Sequence, residues 1–300
     1  MTTIASTPVR YSYRPRFSWG KLFVHIILGL VGLACVIPML LVVSVSLSDE
    51  KELARHGYSL LPVGFNTFSY TYILQQPGQI IQAYGVTILV TTVGTFLGLL
   101  LCSLLGYAIS RKDYRFRGVV SFYVFFTLLF SGGVVPFYIL MTRYLGLKDN
   151  ILALILPYLV TSWYVLILRT SFAQLPTELL DAARIDGAGE WRIFFQVVLP
   201  LSKPVLATIG LFFILRFWND WFLALLFIND QKLYPLQYLL YVLMANINFL
   251  ASNPHTTGIP IPVQSARMAM AVLAFGPALF SFLLLQKYFV RGITIGGLKG

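Results

Sequence analysis

The chain has 300 residues, 58% of them hydrophobic, 15% aromatic and 11% charged, whereas charged residues make up about a quarter of an ordinary soluble domain. That composition excludes a soluble globular protein and defines a membrane protein. The net charge of +11 would suit nucleic acid only if the basic residues clustered on one face or in one soluble region, and here they flank apolar segments.

A helix needs roughly 20 mostly apolar residues to cross a hydrocarbon core of about 30 Å, and six stretches reach that length. Residues 1–21 form a basic tail with Arg10, Arg14, Arg16 and Lys21 and no acid. The apolar run Leu22 to Leu47 is longer than the roughly 7–15 residues of a secretory leader, which predicts a retained first span kinked at Pro38. Ser48 to Gln79 reads as an extramembrane loop with one short helix. The second span is predicted over Ile80 to Ile109, with Gly94 and Gly98 at the spacing that lets helix backbones approach closely.

After a turn carrying Arg111, Lys112, Arg115 and Arg117, the third span covers Val119 to Met141, interrupted by Ser131, Gly132, Gly133 and Pro136. Unpaired backbone at such a break is tolerated in a membrane only where protein or water satisfies it, so the break is either a packing kink or a bend lining a pathway. The fourth span, Ile151 to Ser171, contains Pro157, and the fifth runs from Ser202 to Ile228. Asn229 to Ala266 reads as a connector, Arg267 to Val290 as the last span, and Arg291 to Gly300 as a tail. Cys35 and Cys102 fall inside spans, so no disulfide framework is indicated. His25, His56 and His255 lack metal-ligand spacing, and no metal site is expected.

Cytoplasmic segments carry the excess of Lys and Arg. With both termini inside, fifteen lie on the cytoplasmic side and six on the other, with Arg216 inside a span. The division is then a cytoplasmic tail (1–21), a six-span domain (22–290) containing a cytoplasmic loop (172–201), and a cytoplasmic tail (291–300).

That loop contains ELLDAARIDGAGEWRIFFQVVLP, Glu178 to Pro200, too charged for lipid. Thr177 is predicted to cap a helix whose first turn carries Glu178 and Asp181, the charge sign that a helix N-terminus prefers. Gly187 can adopt the positive φ that ends such a helix, and a second helix from Glu190 to Val198 returns the chain to the membrane at Pro200. Asp181, Ala182, Ala183, Gly187, Val197, Leu199 and Pro200 match the spacing E-A-A, three residues, G, nine residues, I-x-L-P. The chain thereby resembles the inner-membrane permease subunits of binding-protein-dependent ABC importers, with Asp for the usual Glu and Val for Ile. The resemblance implies an all-α type I permease fold in the plasma (cell inner) membrane. It also implies a coupling helix, Asp181 to Gly187, that docks on a cytoplasmic ATPase, with Glu178, Asp186, Leu199 and Pro200 in the same element. An amphipathic helix resting on the membrane surface is the plainer alternative.

LDAARIDGAGEWRIFFQVVLPLSKPVLATIGLFF and QKYFVRGITIGGLKG look like the carbohydrate branch of these permeases, related to the inner maltose permease subunit. FSGGVVP, LGLKDN and LYPLQ resemble a sub-branch handling complex oligosaccharides, including acidic ones from pectin or alginate. The implied partners are a homologous second permease, two ATPase subunits carrying ATP and Mg, an extracytoplasmic solute-binding protein and an oligosaccharide substrate. This chain is expected to bind no cofactor itself: in the tail, Gly292 and Gly297 have Walker spacing, but Leu298 stands where Lys is required. No residue is expected to perform covalent chemistry.

Arg216, Trp218, Asn219 and Asp220 are candidates for the substrate path. Arg216 and Asp220, four apart, can pair on one helix face, which lowers the cost of holding either in a membrane. Trp218 beside Asn219 offers the aromatic face and hydrogen-bonding rim that a sugar wants; contact with a partner subunit or anchoring at the lipid interface are the alternatives. Asn253, Pro254, Thr256 and Gly258 lie where the maltose system inserts a loop into its binding protein, and are candidates for that contact. Two other functions remain open from sequence: a permease for a non-sugar solute such as polyamine or phosphate, and a stand-alone secondary transporter or channel, for which inverted repeats are not evident.

Overall fold

The computed structural model describes residues 19–75, 77–252, 262–277 and 279. Among them the chain is helical, and its one β feature is an isolated bridge between Ser48 and Phe65. Helix α1 (Trp19–Ser46) is continuous through Pro38, and the other described residues cover none of its most apolar window. The outer loop holds two short helices, α2 (Glu50–His56) and α3 (Phe68–Ile73), rather than the single one expected.

Helix α4 (Pro77–Ser110) has 34 residues, about 50 Å at 1.5 Å per residue, so it outreaches the membrane core at its ends. Its buried stripe is rich in small residues: Ala83, Thr87, Thr91, Gly94, Gly98, Cys102 and Gly106. A Cβ on Gly94 would stand 2.5 Å from the Phe217 ring, and one on Gly98 2.7 Å from that of Phe213. At Gly106 it would meet Leu168 Cβ at 3.0 Å and the backbone of Val165 and Arg169 at 3.3 Å. The glycine spacing therefore does admit close neighbours: α8 (Ser162–Ala173) and α12 (Lys203–Trp218) both seat on this face of α4.

The third span departs from expectation. Helix α5 (Arg117–Leu129) is only 13 residues long, and the chain then turns through 113° into α6 (Val134–Ile139) and a π turn, Leu140–Tyr144. Gly133 sits at φ +83, a conformation that costs a glycine nothing, and Pro136 cannot donate within the new helix. Val119 to Met141 is thus a sharply bent pair, not a straight span. The fourth span bends by 46° between a segment made of α7 (Leu152–Ile155) with the 3-10 turn Leu156–Tyr158, and α8. In the polar loop, α9 (Thr177–Ile185) is followed by α10 (Glu190–Ile193), a π turn and α11 (Leu199–Leu201), and α12 leaves at 85° to them.

Helix α12 stops at Trp218, and α13 (Phe222–Phe227) follows after a break. Residues 229–266, expected to form a connector, hold instead the 17-residue apolar helix α14 (Leu236–Ser252) before α15 (263–277) begins. Thr87 Oγ1 on α4 accepts from Leu236 N at 2.8 Å, satisfying a donor at the start of α14. At the start of α15, Glu50 does the same twice: its carboxylate accepts from the backbone N–H of Gln264 at 2.9 Å and of Ser265 at 3.0 Å, and from Ser265 Oγ at 2.8 Å. Tyr58 adds a hydrogen bond to Gln264.

One core lies where α4, α8 and α12 meet, around Val165, Leu168, Phe194, Phe213 and Phe217. A second joins Ile80, Trp218, Leu236, Leu239 and Met270. Two uninterrupted helices and three bent pairs are long and apolar enough to cross a membrane, so the fold is that of a polytopic membrane protein.

Candidate coupling and substrate-path sites

The polar loop, residues 172–201, is built around one buried anchor and one cation. Leu180 is buried in the main core, while Leu179, Ile185 and Trp191 stay exposed, Ile185 at 87%. Of the motif residues, Glu178, Asp181, Ala182, Asp186, Gly187 and Pro200 are exposed, and Ala183 and Leu199 half-buried. The loop thus presents an outward apolar surface flanked by acids. Thr177 does not cap α9 as expected: Pro176 holds the cap position, and no side chain accepts there. Proline fixes φ near the helical value, and the donor it lacks would be unpaired in any case.

Gly187 ends the helix as expected, at φ +79, with Gly187 N donating to Arg184 O at 3.0 Å and Ala188 N to Ala183 O at 2.9 Å. Nothing lies within 4 Å of where its Cβ would stand, so the need for glycine is conformational and not steric. A Gly187→Asp variant is expected to assemble yet lose most uptake, because an L residue in this region costs about 1–2 kcal/mol and the helix end would shift to relieve it. Gly187→Asn should lose less, since asparagine enters this conformation more readily. Uptake and ATPase activity stimulated by loaded binding protein check both.

Sequence reading missed the residues that tie this loop to the rest of the chain. Arg184 Nη2 donates to Asp113 Oδ2 at 2.8 Å and to Glu190 Oε1 at 2.7 Å, and Nη1 stands 3.6 Å from Asp181 Oδ1. Asp113 is also gripped by Arg111 through two contacts at 3.2 Å. Tyr107, near the C-terminal end of α4, donates its hydroxyl to Glu190 Oε2 at 2.8 Å. One guanidinium thus joins both helices of the loop to the turn after α4. Asp181, the shorter acid in the motif, spends its carboxylate on Arg184 within its own helix.

The Arg111 guanidinium, against the opposing effect of burial and with help from Arg184, holds the Asp113 carboxyl down at about 2. Its contribution is therefore fully present above the ordinary carboxylate range and is lost as pH falls through about 2. Glu190 and then Asp113 push the Arg184 guanidinium further up, so this joint is charged at every physiological pH.

At the candidate substrate path, Arg216 and Asp220 do not pair. Helix α12 ends at Trp218, so the four-residue spacing no longer puts them on one face. Tyr158 stands between them: its hydroxyl donates to Asp220 Oδ1 at 2.8 Å, and the Arg216 guanidinium carbon lies 4.0 Å from its ring centroid. Asp220 Oδ2 accepts from Leu223 N at 3.2 Å. Trp218 is buried, with Nε1 donating to Ala274 O at 2.9 Å, and Asn219 Nδ2 is turned back onto Leu215 O at 2.8 Å. The expected Trp218 and Asn219 pair therefore offers no sugar platform, and Arg216 is the exposed ionisable group of the cluster.

Asn253, Pro254, Thr256 and Gly258 lie outside the described residues, as do Gly292 and Gly297. The LGLKDN segment serves the fold: Asp149, at φ +54, accepts from the backbone N–H of Asn229 and of Asp230, pinning that turn. Among the described residues no three His, Cys, Asp or Glu side chains gather as a metal site would require.

A polar loop of two helices lies between apolar segments and is bound by charge to the end of a long helix, within a polytopic membrane fold. Residues 98–295 match the family of binding-protein-dependent transport system inner membrane components, and the chain belongs to it. It is 38% identical over 275 residues to Protein LplC of Bacillus subtilis, covering 91% of this chain and 92% of that one. It is 36% identical over 290 residues to the polygalacturonan/rhamnogalacturonan transport system permease protein YtcP of the same organism, covering 94% and 99%. A bacterial ABC transporter involved in import of the acidic polysaccharide alginate contains a chain that superposes with a TM-score of 0.76 at 26% identity, over 92% of this chain and all of that one. The chain is a transport subunit of the inner membrane and not an enzyme.

Proposed function

We propose that the chain forms half of the translocation path of an ATP-driven oligosaccharide importer, with acidic glycans as substrates. It pairs with a homologous permease, receives solute from an extracytoplasmic binding protein, and is driven by two ATPase subunits that carry ATP and Mg and grip the Asp181 to Gly187 helix. Both termini lie in the cytoplasm and the spans are multi-pass. The observation that carries this reading is the Arg184 joint, which fixes an exposed docking helix to the turn after α4. The relative named for polygalacturonan/rhamnogalacturonan transport and the neighbour named for alginate support an acidic glycan.

Arg216 supports the acidic substrate. It is exposed in an apolar helix, and among the described residues no carboxylate lies within ion-pair distance of it, because Asp220 is engaged by Tyr158 and Leu223. An ionisable group at membrane depth marks a solute path more often than a structural contact, and a guanidinium edge suits a uronate carboxylate. The test is reconstitution with partner subunits in proteoliposomes. Galacturonan and alginate oligosaccharides should be taken up only with ATP inside, and Arg216→Gln should slow acidic oligosaccharides about tenfold, the loss of one charge-assisted hydrogen bond, while sparing neutral ones. Uptake without ATPase subunits would refute the importer reading, and equal uptake of acidic oligosaccharides by Arg216→Gln would refute the role of Arg216.

A further inference from the structure

A cavity lined by none of the residues of either site lies beside the second core. It has a volume of about 440 Å³ and opens between α3, the first turn of α4, the Gln231–Leu233 turn and α14. Cavities that hold small molecules span about 300–1,000 Å³. Four carboxamides reach it, those of Gln75, Gln79, Gln231 and Asn246, together with the rings of Tyr72 and Tyr234. None of the four amide side chains makes a hydrogen bond or ring contact among the described residues, although amides elsewhere do: Gln82 donates to Lys232 O, and Asn66 to Asp49. The floor is apolar, with Ile80, Leu239 and Ile247 beneath, and no charged side chain among the described residues lines it.

These features select a ligand class. An anion would find no cation here, and a lipid tail would leave four amides facing hydrocarbon unsatisfied. A hydroxyl-rich sugar matches: each carboxamide offers donors and an acceptor to neighbouring hydroxyls, and the apolar face of a sugar ring can rest on a tyrosine. We infer that this cavity is a glycan-binding cradle that holds one or two sugar rings by their neutral hydroxyl edges before they enter the path. This rests on the oligosaccharide reading above, and on the Lys and Arg distribution that puts the first turn of α4 on the outer side. The cradle would read hydroxyls, leaving the carboxylate to Arg216.

The test uses the complete complex in proteoliposomes, with a galacturonan trisaccharide as probe. Replacing Gln79 and Asn246 together by leucine is expected to raise the half-saturating concentration for uptake about tenfold, as the loss of two neutral hydrogen bonds implies. The ATP hydrolysed per sugar should not change. An unchanged half-saturating concentration in an assembled double variant overturns the cradle. If the variant does not assemble, the wild-type complex decides: a trisaccharide bearing a diazirine should label peptides of α3 or α14, and labelling confined to other helices, to the partner permease or to the binding protein overturns the inference. Failure of the wild type to import any oligosaccharide would instead remove the function on which the cradle depends.

Discussion

Arg184→Ala should abolish most of the ATP-driven uptake while the permease still folds and inserts. The side chain lies on the polar face of the loop and fills no core, so its removal opens no cavity. It does release Asp113, Glu190 and Asp181 at once. Hydrogen bonds to charged groups are worth about 1.5–3 kcal/mol each, and solvent screening at this half-exposed position favours the lower end. A loss of roughly tenfold in uptake is the expected minimum, with ATPase activity no longer stimulated by loaded binding protein. Arg184→Lys should recover little, because a point charge cannot serve Asp113 and Glu190 with the geometry of the guanidinium fork. A double-mutant cycle pairing Arg184→Ala with Glu190→Gln measures how far the two act together: additive losses would mean that the residues act independently and form no joint.

Gly94→Leu is expected to have the other large effect, on assembly rather than on coupling. Even a methyl group at Gly94 would overlap the Phe217 ring at 2.5 Å, and that ring is fully packed in the main core. Overpacking a tight core costs typically about 1–3 kcal/mol, and a leucine here must push α12 off α4. A lower melting temperature in detergent and less complex recovered with partner subunits are expected. Gly94→Ala should show a smaller loss that Phe217→Leu partly restores, because the smaller side chain vacates the space the methyl needs. Equal stability of Gly94→Leu and the wild type would show that the two helices do not meet there in the membrane.

The coupling loop was legible because its charges stand out in an apolar chain and its motif fixes seven positions by local spacing. What holds the loop in place was not. Tyr107 meets Glu190 across 83 positions and Arg184 meets Asp113 across 71, distances over which no periodicity speaks. The Arg216 and Asp220 pair failed for a local reason: helical spacing was applied past Trp218, where the helix stops. Helix α14 was missed because its 17 residues fall below a span's length and Pro, Asn and Gly flank it, so composition read as a connector. At Ser131 to Gly133 the break itself was visible, but only Gly133 at φ +83 reveals that it turns the chain through 113°. The first two spans, Leu22 to Leu47 and Ile80 to Ile109, were legible in hydropathy because lipid imposes its rule one residue at a time, whereas the later bends and the joint depend on which helices meet.

The grip of Glu50 on the first turn of α15 has a mechanical meaning. Three hydrogen bonds to one carboxylate, and a fourth from Tyr58, weld the outer loop to the head of this helix. Trp218 and Tyr84 fasten the same helix further along, at Ala274 and Leu273. The outer loop, α15 and the end of α12 therefore travel as a single arm. An arm braced at both ends resists bending, so any displacement of α15 carries the 48–75 segment with it instead of loosening helix by helix.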